Sequence, residues 1–335
     1  MAHIHTIIVI GLGHQALKEH IPSILRNRTL RLIGVVDCQQ SVLDQAKKKY
    51  GVSGFLTVKE LLAHMKPDIA VVCVPHCEYE AILKALFAAH VSVFKEKPFA
   101  CSYTEAMRLH AMIRASKSTV MIHVQRRCNL YYQAVKKLLA NIGKPFFVEG
   151  QYFIHVADPH SGWRGQRRNA GGGCIIDMGY HLIDLVLLYL GLPDHIHATF
   201  GSYARQDAIY DAEDTASILL QYDKKNIFGT LNISRFIGPK QEYLRIVGTK
   251  GYIVVKAAET ILYANDGTVR RTIFASRYTT TDVLKYFVRV IEKKSPNISD
   301  SAIHLEHTAM IQACYQSGVA KKFISPKQIM KEGKT

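Results

Sequence analysis

Residues 171–185 read GGGCIIDMGYHLIDL, an apolar run that carries Asp177, Tyr180, His181 and Asp184. Ionisable groups in such a setting are costly unless they are paired or used. Asp177 and His181 stand four residues apart and so share a helix face. Tyr180 lies three residues from Asp177, and Asp184 three from His181, so the four form a stripe. The remaining positions, Cys174, Ile175, Ile176, Ile183, Leu187 and Leu188, are apolar. An Asp–His pair on such a helix points to an inner cleft. The imidazole, which titrates near neutrality, would be general acid or base there. Asp177 would orient that ring or a substrate hydroxyl. The plain alternatives are a polar stripe facing water and a hydrogen-bonded core histidine.

A second candidate lies in FKEKPFA, residues 94–100, where Glu96, Lys97 and Pro98 close an apolar strand. A lysine held beside a positively charged group and partly buried is poised for proton transfer. Pro98 constrains the backbone there, and a cis peptide is one way to do it. A solvated charged loop is the competing meaning of KEKP.

The segment VIGLGHQA places Gly11, Gly13 and Ala16 as G-x-G-x-x-A between a strand and a helix. The first glycine permits a tight turn, the second lets backbone approach a pyrophosphate, and the alanine allows close helix–strand contact. A helix N-terminus adds free N–H groups and partial positive charge. Gly11, Leu12, Gly13, His14 and Gln15 are therefore the phosphate-side candidates. Strand two ends in Asp37, 21 residues after Ala16. An acid there accepts hydrogen bonds from both ribose hydroxyls and repels a 2′-phosphate, which favours NAD over NADP. Val74, Pro75 and His76 end a further strand at the same sheet edge and join the cofactor-binding set with Glu96 and Lys97. WRGQRRN sets Trp163, Arg164, Arg167 and Arg168 beside the glycines. Arginines suit a substrate phosphate or carboxylate; a basic surface loop is the other reading.

These residues need a frame. Over the first 125 residues short apolar runs (4–10, 30–37, 68–74, 91–94, 118–124) alternate with helical patterns. Ser41-x-x-Asp44, Thr57-x-x-Glu60 and Ser102-x-x-Glu105 have the form of helix-opening capping boxes. Continuous apolar strands alternating with amphipathic helices predict a doubly wound parallel sheet. After residue 125 the rhythm changes. A helix near 130–141, an extended PFFVEGQYFIHV and a helix over about 174–190 precede strands joined by the turns YDKKN and GTKG. Short turns between neighbouring strands predict an antiparallel sheet. Helices near 280–293 and 301–317 follow, and the tail from residue 327 is expected to fray. The domains are read as 1–125 and 126–325.

The chain has 335 residues, 48% of them hydrophobic, with mean hydropathy near zero, as in a globular protein. No apolar run approaches the length of a membrane helix, and the N-terminus reads as a strand rather than a signal peptide. Seven scattered cysteines without a C-x-x-C pair predict free thiols in a cytoplasmic protein. Sixteen histidines form no metal-ligand spacing, so no metal is expected. The net charge of +16 favours anionic ligands, yet the basic residues are dispersed, and neither nucleic acid nor a membrane is the expected partner.

In combination GLGHQA, EKP at 96–98, WR at 163–164, GGGCIIDMGYHLIDL and VGTKG at 247–251 make the chain resemble the glucose–fructose oxidoreductase and inositol dehydrogenase family, Gfo/Idh/MocA, over nearly its whole length. The resemblance implies an N-terminal Rossmann domain followed by an α/β domain with a large, mostly antiparallel sheet, and a homodimer or homotetramer. It implies hydride transfer between nicotinamide and a carbon of a sugar, sugar derivative or cyclitol, which would be anionic if the arginines bind it. Lys97, Asp177 and His181 would surround the reacting hydroxyl, with His181 the base, Lys97 a proton-relay partner and Asp177 the orienter. Tyr180 is a rival proton donor, and Asp184 is structural. Arg126, Trp163, Arg164, Arg168, Asp177 and His181 would bind the substrate. Two other functions stay open: reduction of a keto-sugar nucleotide, and non-catalytic dinucleotide sensing on the same fold. The family's Thr-Pro-Asn is here Val74-Pro75-His76, and the aromatic after Arg126 is here Arg127.

Overall fold

The computed structural model describes residues 3–158, 162–203 and 210–333, Cys77 by its backbone alone. Two compact units divide the chain. The first comprises residues 1–99, 107–125 and 278–302; the second comprises 100–106, 126–277 and 303–335.

The first unit is a six-stranded sheet of β1 (His5–Ile10), β2 (Leu30–Val36), β3 (Ser53–Phe55), β4 (Ile69–Val72), β5 (Ser92–Glu96) and β6 (Val120–His123), ordered β3-β2-β1-β4-β5-β6. Every pairing in it is parallel. The strands read as unbroken β-branched runs because both faces are covered; β4 is buried at all four positions. The chain order reverses between β1 and β4. In open parallel sheets that is where the carboxyl ends open into a ligand crevice. Thr57 and Glu60 cap their helix: Glu60 N–H donates to Thr57 Oγ1, and the Glu60 carboxylate accepts from Leu56 N–H. Ser41 does not cap. Its helix, Gln40–Tyr50, starts one residue earlier, and Asp37 Oδ1 accepts from Gln39 N–H instead.

The unit is completed from far along the chain. Helix Thr280–Ile291, opened by a Thr279/Asp282 capping box, buries Val283, Leu284 and Phe287. The Phe287 ring lies 5.3 Å from that of Phe94 on β5. Ser299 and Asn297 then pin β6 through the carbonyls of Ile122 and Val120.

The second unit is built on β7 (Pro145–His155), β8 (His195–Gly201), β9 (Thr215–Tyr222), β10 (Ile227–Ser234), β11 (Phe236–Gly248), β12 (Gly251–Lys256), β13 (Glu259–Tyr263) and β14 (Val269–Phe274). Their order is β14-β13-β12-β11-β7-β10-β9-β8, antiparallel except where β10 runs parallel to β7. YDKKN and GTKG are the β9–β10 and β11–β12 turns. Strand β9 alternates buried and open side chains, as a sheet covered on one face requires.

Two expectations need correction. The helix over 174–190 is in two pieces, Cys174–Asp177 and Gly179–Leu190; the axis bends by 53° between Arg167–Asp177 and Gly179–Leu190. The tail forms a helix, Pro326–Glu332, started by a proline that needs no N–H at that position and held by buried Ile329. Among the described residues no single helix is long and apolar enough to cross a membrane.

The Phe287 ring is fully buried. Phe287→Ala should therefore cost about 3–5 kcal/mol in urea unfolding followed in the first unit.

Candidate active site

In the first unit Gly11 has φ +83°, and a Cβ there would sit 2.5 Å from the carbonyl oxygen of Cys73. Only glycine lets β1 turn so close to the end of β4. Gly13 has no atom within 4 Å of a notional Cβ, so its backbone faces open space. Such bare backbone fits the approach of a pyrophosphate. His14 and Gln15 are exposed beside it, and Ala16 is buried. Leu12 is buried, and its N–H donates to Asp37 Oδ2 at 2.8 Å. Asp37 thus has one oxygen on the glycine turn and the other on Gln39 N–H, and the half-buried carboxylate ties the turn to the end of β2. Val74 and Pro75 are partly exposed after β4; the buried His76 ring stacks on Tyr79, 6.0 Å between centroids.

The β5 end differs from the expectation. Glu96 Oε1 is shared by His20 Nε2 (2.6 Å) and His123 Nδ1 (2.8 Å), and Oε2 accepts from Lys97 N–H (3.2 Å). Glu96, placed among the cofactor-binding residues by the sequence, is engaged inside the unit. Burial pushes its carboxyl up, but the two imidazoles outweigh this and hold it well below the usual carboxylate range. Burial pushes His20 down, against the pull of Glu96. The two rings were missed because they come from a helix and a strand far apart in sequence. Ligand atoms of His20, Cys73 and Glu96 lie within 4.8 Å of one another, a grouping able to hold a metal, with the carboxylate already hydrogen-bonded to imidazole. Lys97 is partly exposed, and its bond to Pro98 is cis.

In the second unit the polar stripe divides. Tyr180 is fully buried, its hydroxyl hydrogen-bonded to His304 Nδ1 (2.8 Å) and its ring stacked on His307 (5.2 Å). Asp184 is fully buried too. Its Oδ1 accepts from Arg127 Nε (2.8 Å) and Nη2 (2.7 Å) and from His307 Nε2 (2.8 Å). Burial raises the Asp184 carboxyl, and Arg127 and His307 more than offset it. Asp177 and His181 remain partly exposed. Arg235, 3% exposed, donates to Asp177 Oδ2 at 3.0 Å, a partner no sequence spacing revealed. The His181 ring lies 6.4 Å from that of Tyr152 on β7.

Glu213 carries the start of this helix. Its carboxylate accepts from Gly173 N–H (2.7 Å), Ile175 N–H (3.0 Å) and Tyr315 O–H (2.9 Å). A Cβ on Gly173 would stand 1.9 Å from the Glu213 carbonyl oxygen, which explains one glycine of the three.

Arg126 pairs with Glu242, and its guanidinium lies 6.0 Å from the Tyr132 ring and 5.9 Å from the Tyr152 ring. Lys240 Nζ lies 3.7 Å from Glu242 and 5.5 Å from the Tyr152 ring. Arg126, Tyr152, Lys240 and Glu242 thus form one polar group that reaches His181 through Tyr152. The guanidinium of exposed Arg164 lies 4.7 Å from the Trp163 ring, Arg167 lies over Tyr315, and exposed Arg168 meets Gln166.

Residues 5–124 match the model of an oxidoreductase family with an NAD-binding Rossmann fold, and residues 132–254 match that of the GFO/IDH/MocA C-terminal domain. The chain is 28% identical over 191 residues to D-glucoside 3-dehydrogenase of Escherichia coli, covering 56% of this chain and 54% of that protein. It spans about half the length of the curated relatives it matches. Two solved structures share the fold. An oxidoreductase from Thermotoga maritima has a TM-score of 0.86 at 21% identity, with 98% of this chain and 100% of that chain covered. The WlbA dehydrogenase from Bordetella pertussis, in complex with NADH and UDP-GlcNAcA, has a TM-score of 0.83 at 20% identity, with 96% and 99% covered.

Glu96 and His20 both have lowered folded-state pKa values. The unfolded chain therefore binds protons first on acidification, and stability falls as pH drops. Denaturation midpoints should decline below about pH 6.5, where unfolded histidine protonates, and again below about pH 4.3 toward the depressed Glu96 value. Glu96→Gln should lessen the second decline in urea titrations across this range, with Asp184, also held low, retaining the remainder.

Proposed function

Because the chain belongs to the GFO/IDH/MocA family of oxidoreductases with an NAD-binding Rossmann fold, we propose that it moves a hydride between nicotinamide and a hydroxyl-bearing or keto carbon of a sugar, sugar derivative or cyclitol. One observation carries this reading. Of the four ionisable groups on the 174–190 stretch, Tyr180 and Asp184 are consumed inside, while Asp177 and His181 stay partly exposed. A helix that buries its structural pair and keeps an acid and an imidazole within reach suits proton transfer.

Bound nicotinamide dinucleotide supplies or accepts the hydride. The open backbone at Gly13 and the turn fixed by Gly11 and Asp37 would hold its pyrophosphate and ribose, with NAD preferred because Asp37 repels a 2′-phosphate. His181 takes the proton of the reacting hydroxyl. Asp177, which accepts from Arg235, orients the hydroxyl or the ring. In the first unit Lys97 is the proton-relay group of this reading. Tyr180 is set aside as donor, since its hydroxyl is engaged by His304 away from solvent. Arg126 is neutralised by Glu242, so any anionic group on the substrate falls to Trp163, Arg164 and Arg168. The same groups acting in reverse would reduce a keto-sugar. Copies of the chain are expected to associate as a homodimer or homotetramer, which a mass measurement in solution checks.

The experiment is a panel of sugars, glucosides and cyclitols incubated with NAD⁺ or NADP⁺ while the absorbance of reduced cofactor is followed. Turnover is expected with NAD⁺. Lys97→Met and His181→Ala should each lower kcat by about 10²–10⁴-fold. Cofactor binding without turnover on any compound, and without effect of either variant, would assign the chain to dinucleotide sensing instead.

A further inference from the structure

Lys95 is fully buried, two residues before Lys97. Its Nζ donates to the carbonyl oxygens of Glu96 (3.0 Å) and Pro98 (2.5 Å) and stands 3.3 Å from the centroid of the Tyr79 ring. The Tyr79 hydroxyl itself donates to the Glu96 carbonyl at 3.4 Å. A buried ammonium is expensive to desolvate, and its carbonyl bonds and ring contact offset that cost. The two carbonyls it holds belong to the residues on either side of Lys97. The Lys97 N–H is taken by Glu96 Oε2. Ladder pairing between β5 and β6 ends at Glu96 opposite His123, one residue short of Lys97. The sheet alone therefore does not fix the Lys97 backbone; side chains buried beneath it do.

We propose that Lys95 is a positioning residue whose ammonium clamps the carbonyls flanking Lys97 and so sets the direction in which the Lys97 amine points. This rests on the reading of Lys97 as a proton-transfer group. Arginine retains donors for both carbonyls, whereas methionine has similar length and no donor. A displacement of about 1 Å in a reacting group costs on the order of 10²-fold in rate. The clamp should thus be visible in kcat, with little effect on cofactor binding.

The test uses the full chain loaded with NAD⁺ and has two arms. The first needs no substrate. Lysines are reductively methylated with a ¹³C label, and the Lys97 resonance is assigned by its loss in Lys97→Arg. It is expected to be dispersed in the native protein and to move to the position of exposed lysines in Lys95→Met. An unchanged resonance overturns the proposal. The second arm uses the compound turned over best in the panel. Lys95→Met should lower kcat about 30- to 100-fold with KM for NAD⁺ within about threefold, and Lys95→Arg should recover most of it. On the Lys97→Met background the further loss should be below about threefold. An equal loss on both backgrounds would mean that Lys95 acts apart from Lys97, and the proposal fails. Full turnover by Lys97→Met sinks the reading of Lys97 alone and is seen in that single variant. Should Lys95→Met not fold, Lys95→Gln takes its place under the same criteria; if neither folds, Lys95 serves stability only and the positioning role is rejected.

Discussion

An anionic carboxylate taken out of water must be given hydrogen-bond donors, or it takes up a proton and loses its charge. Each unit is arranged around that demand. In the first, Glu96 collects two imidazoles and a backbone N–H at the end of β5. In the second, Asp184 collects a guanidinium and an imidazole, and Glu213 collects two backbone N–H groups and a phenol. All three carboxylates sit next to residues with a proposed chemical role. Glu96 precedes Lys97, Asp184 lies on the helix of His181, and Glu213 caps the helix of Asp177. Removing one partner of such a group leaves a charge or a dipole stranded, which typically costs several kcal/mol. The partly exposed residues are therefore held by a much less forgiving layer beneath them.

Strands with continuous apolar character, the glycine turn and Asp37 were legible from local pattern because their causes are local: sterics at φ > 0, burial on both faces, a strand end. Strands β13 and β14 were not. Glu259–Tyr263 and Val269–Phe274 are short elements at one end of the sheet whose character comes from pairing, β13 with β12 and β14 with β13, rather than from their own composition. The tail helix was missed for the same reason, since burial of Ile329 is a tertiary matter.

At the site, spacing found Asp177, Tyr180, His181 and Asp184 but could not divide them. Residues three and four apart share a broad stripe, and only the partners reveal which members face inward. Those partners are remote: Arg127 is 57 residues from Asp184, His304 is 124 from Tyr180, and Arg235 is 58 from Asp177. Likewise, FKEKP shows two lysines of equal appearance, and only the fold separates the one sealed under Tyr79 from the one left partly open.

The first unit is closed by helix Thr280–Ile291 and the segment that follows it, up to residue 302. A ribosome has to make more than half of the second unit before that helix exists. The nascent parallel sheet, with the underside of β5 still uncovered, must wait in an incomplete state through that interval. Chain emergence order, rather than final stability, then sets when this protein is most exposed to chaperones and proteases.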